Sequence, residues 1–340
     1  MQRCIELAKL GAGHVAPNPM VGAVLVHEGE IIGEGYHQQY GQAHAEVNCI
    51  NSVRPDTQFL IPGSTLYVSL EPCSHFGKTP PCSDLIIRQQ IKKVVVGCRD
   101  SFEAVNGKGI EKLKAAGVEV MVDVLKDQCL ELNKRFFTFH TKQRPYIVLK
   151  WAQTADKKIA AVGKGRLLIT NAFTNRKVHQ WRNEEMAILI GTNTALLDNP
   201  SLNNRLWHGS HPIRLVIDKG LKLPASLNLF NQQQPTIVFN SLKQEENHHL
   251  LFHKIDGGKN LLKEIMAACY QFNIQSILVE GGAKLLQTFI DANLWDEIRT
   301  ITNGSLNIFE GLTAPSFKGE LAKEEKIFSD TIQYYLPPHE

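Results

Sequence analysis

No apolar run in these 340 residues approaches the roughly 20 that a helix needs to span a bilayer. Charge of one sign is equally scarce. A net charge of +3 on this length offers no field to attract nucleic acid or a membrane surface. The opening residues MQRCIELAKLGAGH lack the charged-then-apolar layout of an export signal and read as amphipathic, through Ile5, Leu7, Ala8 and Leu10. The expected compartment is therefore the reducing cytoplasm. A disulfide framework is missing too, because the seven cysteines are odd in number and scattered along the chain. Short repeats and low-complexity tracts are absent. What remains is an ordinary globular composition, 43% hydrophobic and 21% charged, on a chain longer than one core usually supports, so two domains are expected.

The first 140 residues alternate strand and helix signals. VGAVLV (21–26) and EIIGEGY (30–36) flank Glu28-Gly29 and read as a hairpin. A helix is expected from about His44 to the turn at Arg54-Pro55, and TLYVSL (65–70) is a buried strand. SDLIIRQQ (83–90) reads as a helix with Ser83 as N-cap, followed by the strand KKVVVGC (92–98). GIEKLKAAG (109–117) is a helix closed by glycine, VEVMVDV (118–124) a strand, and KDQCLELNKRFFTFH (126–140) one further helix. That order implies a mostly parallel sheet covered by helices. Pro145 restarts the pattern, which puts the boundary near 141–145 and gives domains 1–142 and 143–340. Strands are expected again at 187–191, 213–218, 236–240, 276–280 and 297–303, while NSLKQEENHHLL (240–251) reads as a solvated loop or helix.

Two cysteines stand apart from the rest. EPCSHFGKTPPC (71–82) surrounds Cys73 and Cys82 with polar and turn-forming residues, whereas most of the other five sit in apolar surroundings and read as small hydrophobes. Upstream, GQAHAEV (41–47) supplies His44 and Glu46 where a helix begins. A strand end before Cys73 and helix N-termini at His44 and Cys82 can converge on one point, and the helix N-terminus should favour thiolate at Cys82. One histidine and two thiolates suit zinc. The residues by themselves leave open a closed zinc clip beside a core histidine and a solvated glutamate.

The His-x-Glu…Pro-Cys…Cys arrangement resembles the zinc-dependent nucleobase deaminases. The resemblance implies that His44, Cys73 and Cys82 hold the metal and that Glu46, not a ligand, carries the protons. The zinc lowers the pKa of a bound water to about 7, and the resulting hydroxide attacks an amino-bearing ring carbon. Eight residues between the cysteines, where that signature has two, narrow the match. PNPMVGAVLV (17–26), GYH (35–37), HAE, EPCSHFGKTPPC and NGKG (106–109) are similar to the deaminase domain of the bifunctional deaminase–reductases of riboflavin biosynthesis. In that family the substrate is a phosphorylated ribosylamino-pyrimidine, and the resemblance implies contacts from Asn18, His37, His75, Lys78 and Asn106.

The second half has no GxGxxG after its first strand, so the usual dinucleotide fingerprint is absent. LKWAQTADKKIA (149–160), RLLIT (166–170), GTNTALLDNPSLNNR (191–205) and LVEGGAKL (278–285) resemble the reductase domain of the same family. The implied fold class is α/β throughout: an N-terminal cytidine-deaminase-like three-layer αβα domain and a C-terminal dihydrofolate-reductase-like α/β domain. The implied cofactors are zinc for the first and NADPH for the second. Ala152, Thr194, Asp198 and Gly282 would line the NADPH, and Arg166, Arg182, Leu202, Arg205 and Glu280 would hold the substrate. Four positions depart from the family pattern: Lys157 replaces a glycine, Arg166 a serine, Leu168 a tryptophan and Asn203 a threonine. The family also implies a homo-oligomer, dimer or larger, that meets a small molecule and neither nucleic acid nor membrane. Two other readings stand beside this one. A tRNA-type or nucleoside-type deaminase with an unrelated second domain predicts PCxxC and, for nucleic acid, a basic face; a non-catalytic zinc-stabilised binding module has no use for Glu46.

Overall fold

The computed structural model describes residues 1–76, 80–101, 106–161 and 167–338, so the expected contacts Lys78 and Arg166 lie outside the described residues. The chain divides into two compact units, Met1–Gln143 and Arg144–Glu340.

The first unit runs α1 (Gln2–Lys9), β1 (Gly22–His27), β2 (Glu30–Tyr36), α2 (Ala45–Asn51), β3 (Thr65–Leu70) and α3 (Cys82–Arg88). It continues with β4 (Lys93–Cys98), α4 (Lys108–Ala115), β5 (Glu119–Met121), α5 (Lys126–Leu132) and α6 (Lys134–Lys142). The sheet order is β2-β1-β3-β4-β5. β1 runs antiparallel to β2 and β3, whereas β3–β4 and β4–β5 are parallel. The sheet is therefore mixed and not mostly parallel, because the opening hairpin inserts β1 against the direction of β3. Glu28 and Gly29 both take positive φ, 49° and 86°, the twist that a two-residue hairpin turn needs.

Helices cover both faces of this sheet. Cys49 of α2, Ile86 of α3 and Leu113 of α4 pack with Leu25, Leu66, Val68 and Val96 on one side. On the other, Cys4 and Leu7 of α1 pack with Val24 and Tyr67, and Cys129 of α5 lies against Gly97. The result is the expected three-layer α/β arrangement. Two local expectations change. Pro81, not Ser83, precedes α3, and Ser83 is buried inside its first turn. The expected single helix over 126–140 breaks at Asn133, whose Nδ2 donates to Met20 O (2.9 Å) while its Oδ1 accepts from Met20 N (2.8 Å). That pairing holds the segment before β1 against the helix break.

The second unit contains β6 (Tyr146–Thr154), β7 (Lys158–Ala161), α7 (Ala172–Glu184), β8 (Ala187–Gly191), α8 (Thr192–Asp198), β9 (Ile213–Ile217) and β10 (Thr236–Asn240). After these come β11 (Glu245–Asn247), β12 (Leu250–Lys254), α9 (Leu261–Gln271), β13 (Ser276–Val279), α10 (Ala283–Asp291) and β14 (Glu297–Asn303). β15 (Gly311–Thr313), β16 (Glu320–Ile327) and β17 (Asp330–Leu336) complete it. The main sheet has the order β11-β12-β10-β9-β8-β13-β6-β14-β17-β16, and β15 pairs with β7 separately. From β12 to β14 every neighbouring pair is parallel. Such strands are buried on both faces and read as continuous apolar runs, which is why AILIG, IRLVI, TIVFN and SILV were visible in the sequence. The stretch 240–251, expected to be a loop or helix, instead forms β11 and opens β12, with His248 at φ 50° in the turn. Leu250 and Phe252 pack against the apolar cluster around Val216 and Val238 and so hold β12 on the sheet.

Candidate active sites

The first site is assembled by three chain ends. His44 is the N-cap residue of α2 in an extended conformation, so the helix starts one residue later and Glu46 falls in its first turn. β3 stops at Leu70, Cys73 follows on irregular chain, and Cys82 opens α3. His44 Nδ1 stands 3.6 Å from Cys73 Sγ and 3.3 Å from Cys82 Sγ, and the three atoms lie within 4.8 Å of one another. Zinc–sulfur and zinc–nitrogen bond lengths at a tetrahedral angle put neighbouring ligand atoms about 3.6 Å apart. The set is the right size for zinc with one position left over. All seven cysteines are free thiols, and six of them are buried.

Electrostatics divide the two thiols. A hydrogen bond from Cys82 pulls Cys73 below the ordinary thiol range against the opposing effect of burial, and His44 and the Cys82 N–H add to the pull. That backbone N–H, at the start of α3, donates to Cys73 Sγ at 3.3 Å. The start of α3 thus supplies a backbone donor to Cys73. Cys82 is pushed up by its bond to Cys73 and by burial. Glu46 is buried, and burial, followed by the charge at Cys73, raises its carboxyl.

Among the expected substrate contacts, Asn18 and His37 come together. His37 is buried, its Nδ1 lies 3.0 Å from Ala43 O, and its Nε2 lies 3.0 Å from Asn18 Nδ2. The carbonyl requires a proton on Nδ1, so Nε2 accepts from the Asn18 amide. Burial lowers the pKa of this ring, in keeping with the neutral tautomer. Its centroid is 5.4 Å from that of His44, which ties the pair to the candidate metal cluster. His75 and Asn106 are exposed, on the segments after Cys73 and before α4.

The second site lies where adjacent parallel strands end on one side of the sheet. β6 carries Ala152, β8 leads into Thr194 on α8, and β13 leads through Glu280, Gly281 and Gly282 into α10. A Cβ on Gly282 would sit 3.1 Å from Thr194 Oγ1, so the two loops touch there. Asp198 is exposed at the end of α8, one turn from Thr194. Arg182 of α7 grips Glu280 with two bonds, Nε–Oε1 3.0 Å and Nη2–Oε2 2.6 Å. Burial pushes Glu280 up, but Arg182, and then Lys150, overcome it and hold the carboxyl at about 2.

Asn203, one of the departures, links the two arginines. Its backbone carbonyl accepts from Arg182 Nη1 (3.2 Å) and its side-chain oxygen from Arg205 Nη1 (2.9 Å). Leu202 is different from the expectation: its side chain is buried among Ile188, Ile190 and Val216, at a positive φ of 47°, so only its backbone can face a ligand. Lys157, in place of a glycine, takes φ 58°, the left-handed conformation that glycine adopts without strain. Leu168 is largely exposed.

Sequence reading missed His179 and Lys150. His179 is buried, and its Nδ1 accepts from the Arg205 N–H at 3.1 Å; Nε2 has no hydrogen-bond partner among the described residues. Burial, reinforced by Arg182 and Arg205, takes its pKa down to about 4. The signal was the spacing HQWR, which places His179 and Arg182 on one helix face.

The profile of the cytidine and deoxycytidylate deaminase zinc-binding region matches residues 1–98, and that of the RibD C-terminal domain matches 145–305. The riboflavin biosynthesis protein RibD of Aquifex aeolicus is 41% identical over 307 residues, covering 88% of this chain and 84% of its own. RibD of Escherichia coli is 34% identical over 319 residues, covering 88% and 85%. A solved structure from Thermotoga maritima, a diaminohydroxyphosphoribosylaminopyrimidine deaminase/5-amino-6-(5-phosphoribosylamino)uracil reductase, superposes with a TM-score of 0.90. It is 38% identical and covers 99% of this chain and 97% of its own.

Proposed function

Because the chain belongs to the RibD family of riboflavin biosynthesis, we propose from its geometry how individual side chains serve the two reactions. The protein is a bifunctional deaminase and reductase that uses zinc and NADPH. Family membership selects this reading over an editing deaminase or a binding module. We assign deamination to the first unit and reduction to the second.

Deamination exchanges a ring amino group for oxygen, with water consumed and ammonia released, on the diaminohydroxyphosphoribosylaminopyrimidine named for the Thermotoga relative. His44, Cys73 and Cys82 would hold the zinc, whose chemistry there would be to acidify a water toward neutral pH. Glu46 accepts the proton and delivers it to the departing amine; a buried carboxyl with a raised pKa suits both transfers. His37 acts through Asn18: by accepting one amide hydrogen it fixes the rotamer, leaving the Asn18 carbonyl and second N–H for a pyrimidine edge. His75 and Lys78, tethered between two metal ligands, take the substrate phosphate, and Asn106 borders the same site.

The second unit would hold NADPH, which would supply hydride for the ribosyl carbon as the sugar ring opens. Ala152, Thr194, Asp198 and Gly282 line the cofactor, and the N–H groups at the start of α10 suit an anionic group. Arg205, the more exposed guanidinium, takes the substrate phosphate together with Arg166. Arg182 and Glu280 present one neutralised pair to the sugar, and Leu202 contributes its backbone. The near-neutral charge favours small-molecule partners without nucleic acid, and none of the described helices is long and apolar enough to cross a membrane. We take the working form to be a cytoplasmic homo-oligomer, as the family suggests.

The observation that carries the deaminase assignment is the His44–Cys73–Cys82 cluster with buried Glu46 beside it. Zinc-loaded protein should release ammonia from the phosphoribosylamino-diaminopyrimidinone and only then oxidise NADPH. NADPH oxidation without prior ammonia release would overturn the order of the two steps.

A further inference from the structure

Glu71, the first residue of EPC, is buried, yet it has no role in metal binding or proton transfer. Its carboxylate collects four backbone N–H groups. Oε2 accepts from Asp100 (3.2 Å) and Gly107 (3.0 Å), and Oε1 from Gly109 (3.0 Å) and Ile110 (3.3 Å). The N-cap residue of α4 is Gly107, at φ 87°, which has no side chain to cap the helix. Glu71 supplies the missing cap from another part of the chain, and its charge lies at the positive end of the helix. The fit is close: a Cβ on Gly109 would run into the Pro72 carbonyl. Glu71 N also donates to Cys98 O at 3.0 Å, which locks the residue to the end of β4.

Two segments of the deaminase site are joined by this carboxylate. On one side, Glu71 is two residues from the ligand Cys73. On the other, the anchored Gly107 follows Asn106 directly. We propose that Glu71 is a positioning residue for deamination, setting the distance between the metal ligands and the Asn106 side of the substrate site. This rests on the reading of Asn106 as a substrate contact. Four N–H donors need an acceptor at each carboxylate oxygen, so glutamine, with an NH2 in place of one oxygen, faces two donors with a third. Aspartate keeps both acceptors but falls one methylene short.

The test compares Glu71→Gln, Glu71→Asp and Asn106→Ala in the full-length zinc-loaded protein. Ammonia release gives KM and kcat, the zinc content is measured, and NADPH oxidation with the deaminated intermediate serves as an internal control. Glu71→Gln is expected to raise the deaminase KM at least tenfold, with one zinc per chain and reduction unchanged. Glu71→Asp should restore part of the affinity. A lowered melting temperature with unaltered KM would reduce Glu71 to a structural cap and overturn the proposal. Loss of zinc would also overturn it, because Glu71 would then act through Cys73 and not through the Asn106 segment. If Asn106→Ala leaves KM unchanged, the reading of Asn106 as a substrate contact fails, and the positioning role built on it falls whatever Glu71→Gln does. If Asn106→Ala raises KM and Glu71→Gln does not, the positioning role fails and the contact survives.

Discussion

Glu280→Gln removes one charge from a nearly dry ion pair, in which the Arg182 and Glu280 side chains are 11% and 9% exposed. Glutamine preserves shape and one hydrogen-bond acceptor but leaves the guanidinium without its counter-charge. Glu280 is held at about 2 instead of its ordinary 4.5, and Arg182 is raised in turn, so the two partners agree in direction. A depression of that size corresponds to about 3 kcal/mol at neutral pH. Independent experience with buried pairs, broken by removing one member, gives about 3–5 kcal/mol. The sign follows from the depression. The stabilisation is complete above the unfolded carboxyl's pKa and disappears as pH falls from about 4.5 through 2. For a unit of this size the melting temperature should drop by about 6–12 °C. All four tryptophans, Trp151, Trp181, Trp207 and Trp295, lie in the second unit, so tryptophan fluorescence, excited where tyrosine does not absorb, follows its unfolding. The double change Arg182→Met with Glu280→Leu should recover most of the loss, since two apolar groups leave no buried charge. A drop below about 2 °C for Glu280→Gln would refute the reasoning, at the ratio of about 2–4 °C per kcal/mol expected for such a unit. So would parent stability that stays constant from pH 4.5 to 2 once the other carboxylates are accounted for.

Three further outcomes are open to direct measurement. Glu46→Gln should lower ammonia release by about 10²–10⁴-fold with zinc content intact; a rate near that of the parent would remove Glu46 from proton transfer. Zinc removal by a chelator should abolish ammonia release yet leave NADPH oxidation on the deaminated intermediate within twofold of its starting rate, because the candidate zinc ligands all belong to the first unit. Asn133→Ala breaks both bonds to Met20 and should destabilise the first unit by about 1–3 kcal/mol. Denaturant unfolding followed by circular dichroism checks it, and an unchanged midpoint would count against the role given to this asparagine.

The chemistry of the first site was legible because it resides in short runs of unusual residue types. HAE and EPCSHFGKTPPC each place their donors near an element boundary, and boundaries are set by local signals such as Glu28-Gly29 and the apolar runs. Parallel strands buried on both faces announced themselves as AILIG, TIVFN and SILV for the same reason. Other features depend on partners far away in the chain. Asn133 ends a helix because it meets Met20, 113 residues earlier. The 240–251 stretch is polar, and only packing on the sheet turned part of it into strand. Glu71 looked like a neighbour of a ligand until the N-terminus of α4 arrived with its unpaired N–H groups, and His179 looked like any helix residue until Arg205 closed over it. Residue identity determines what each group can bond, coordinate or ionise. Which of those possibilities is realised depends on what the folded chain brings within about 3 Å, the range over which a hydrogen bond acts.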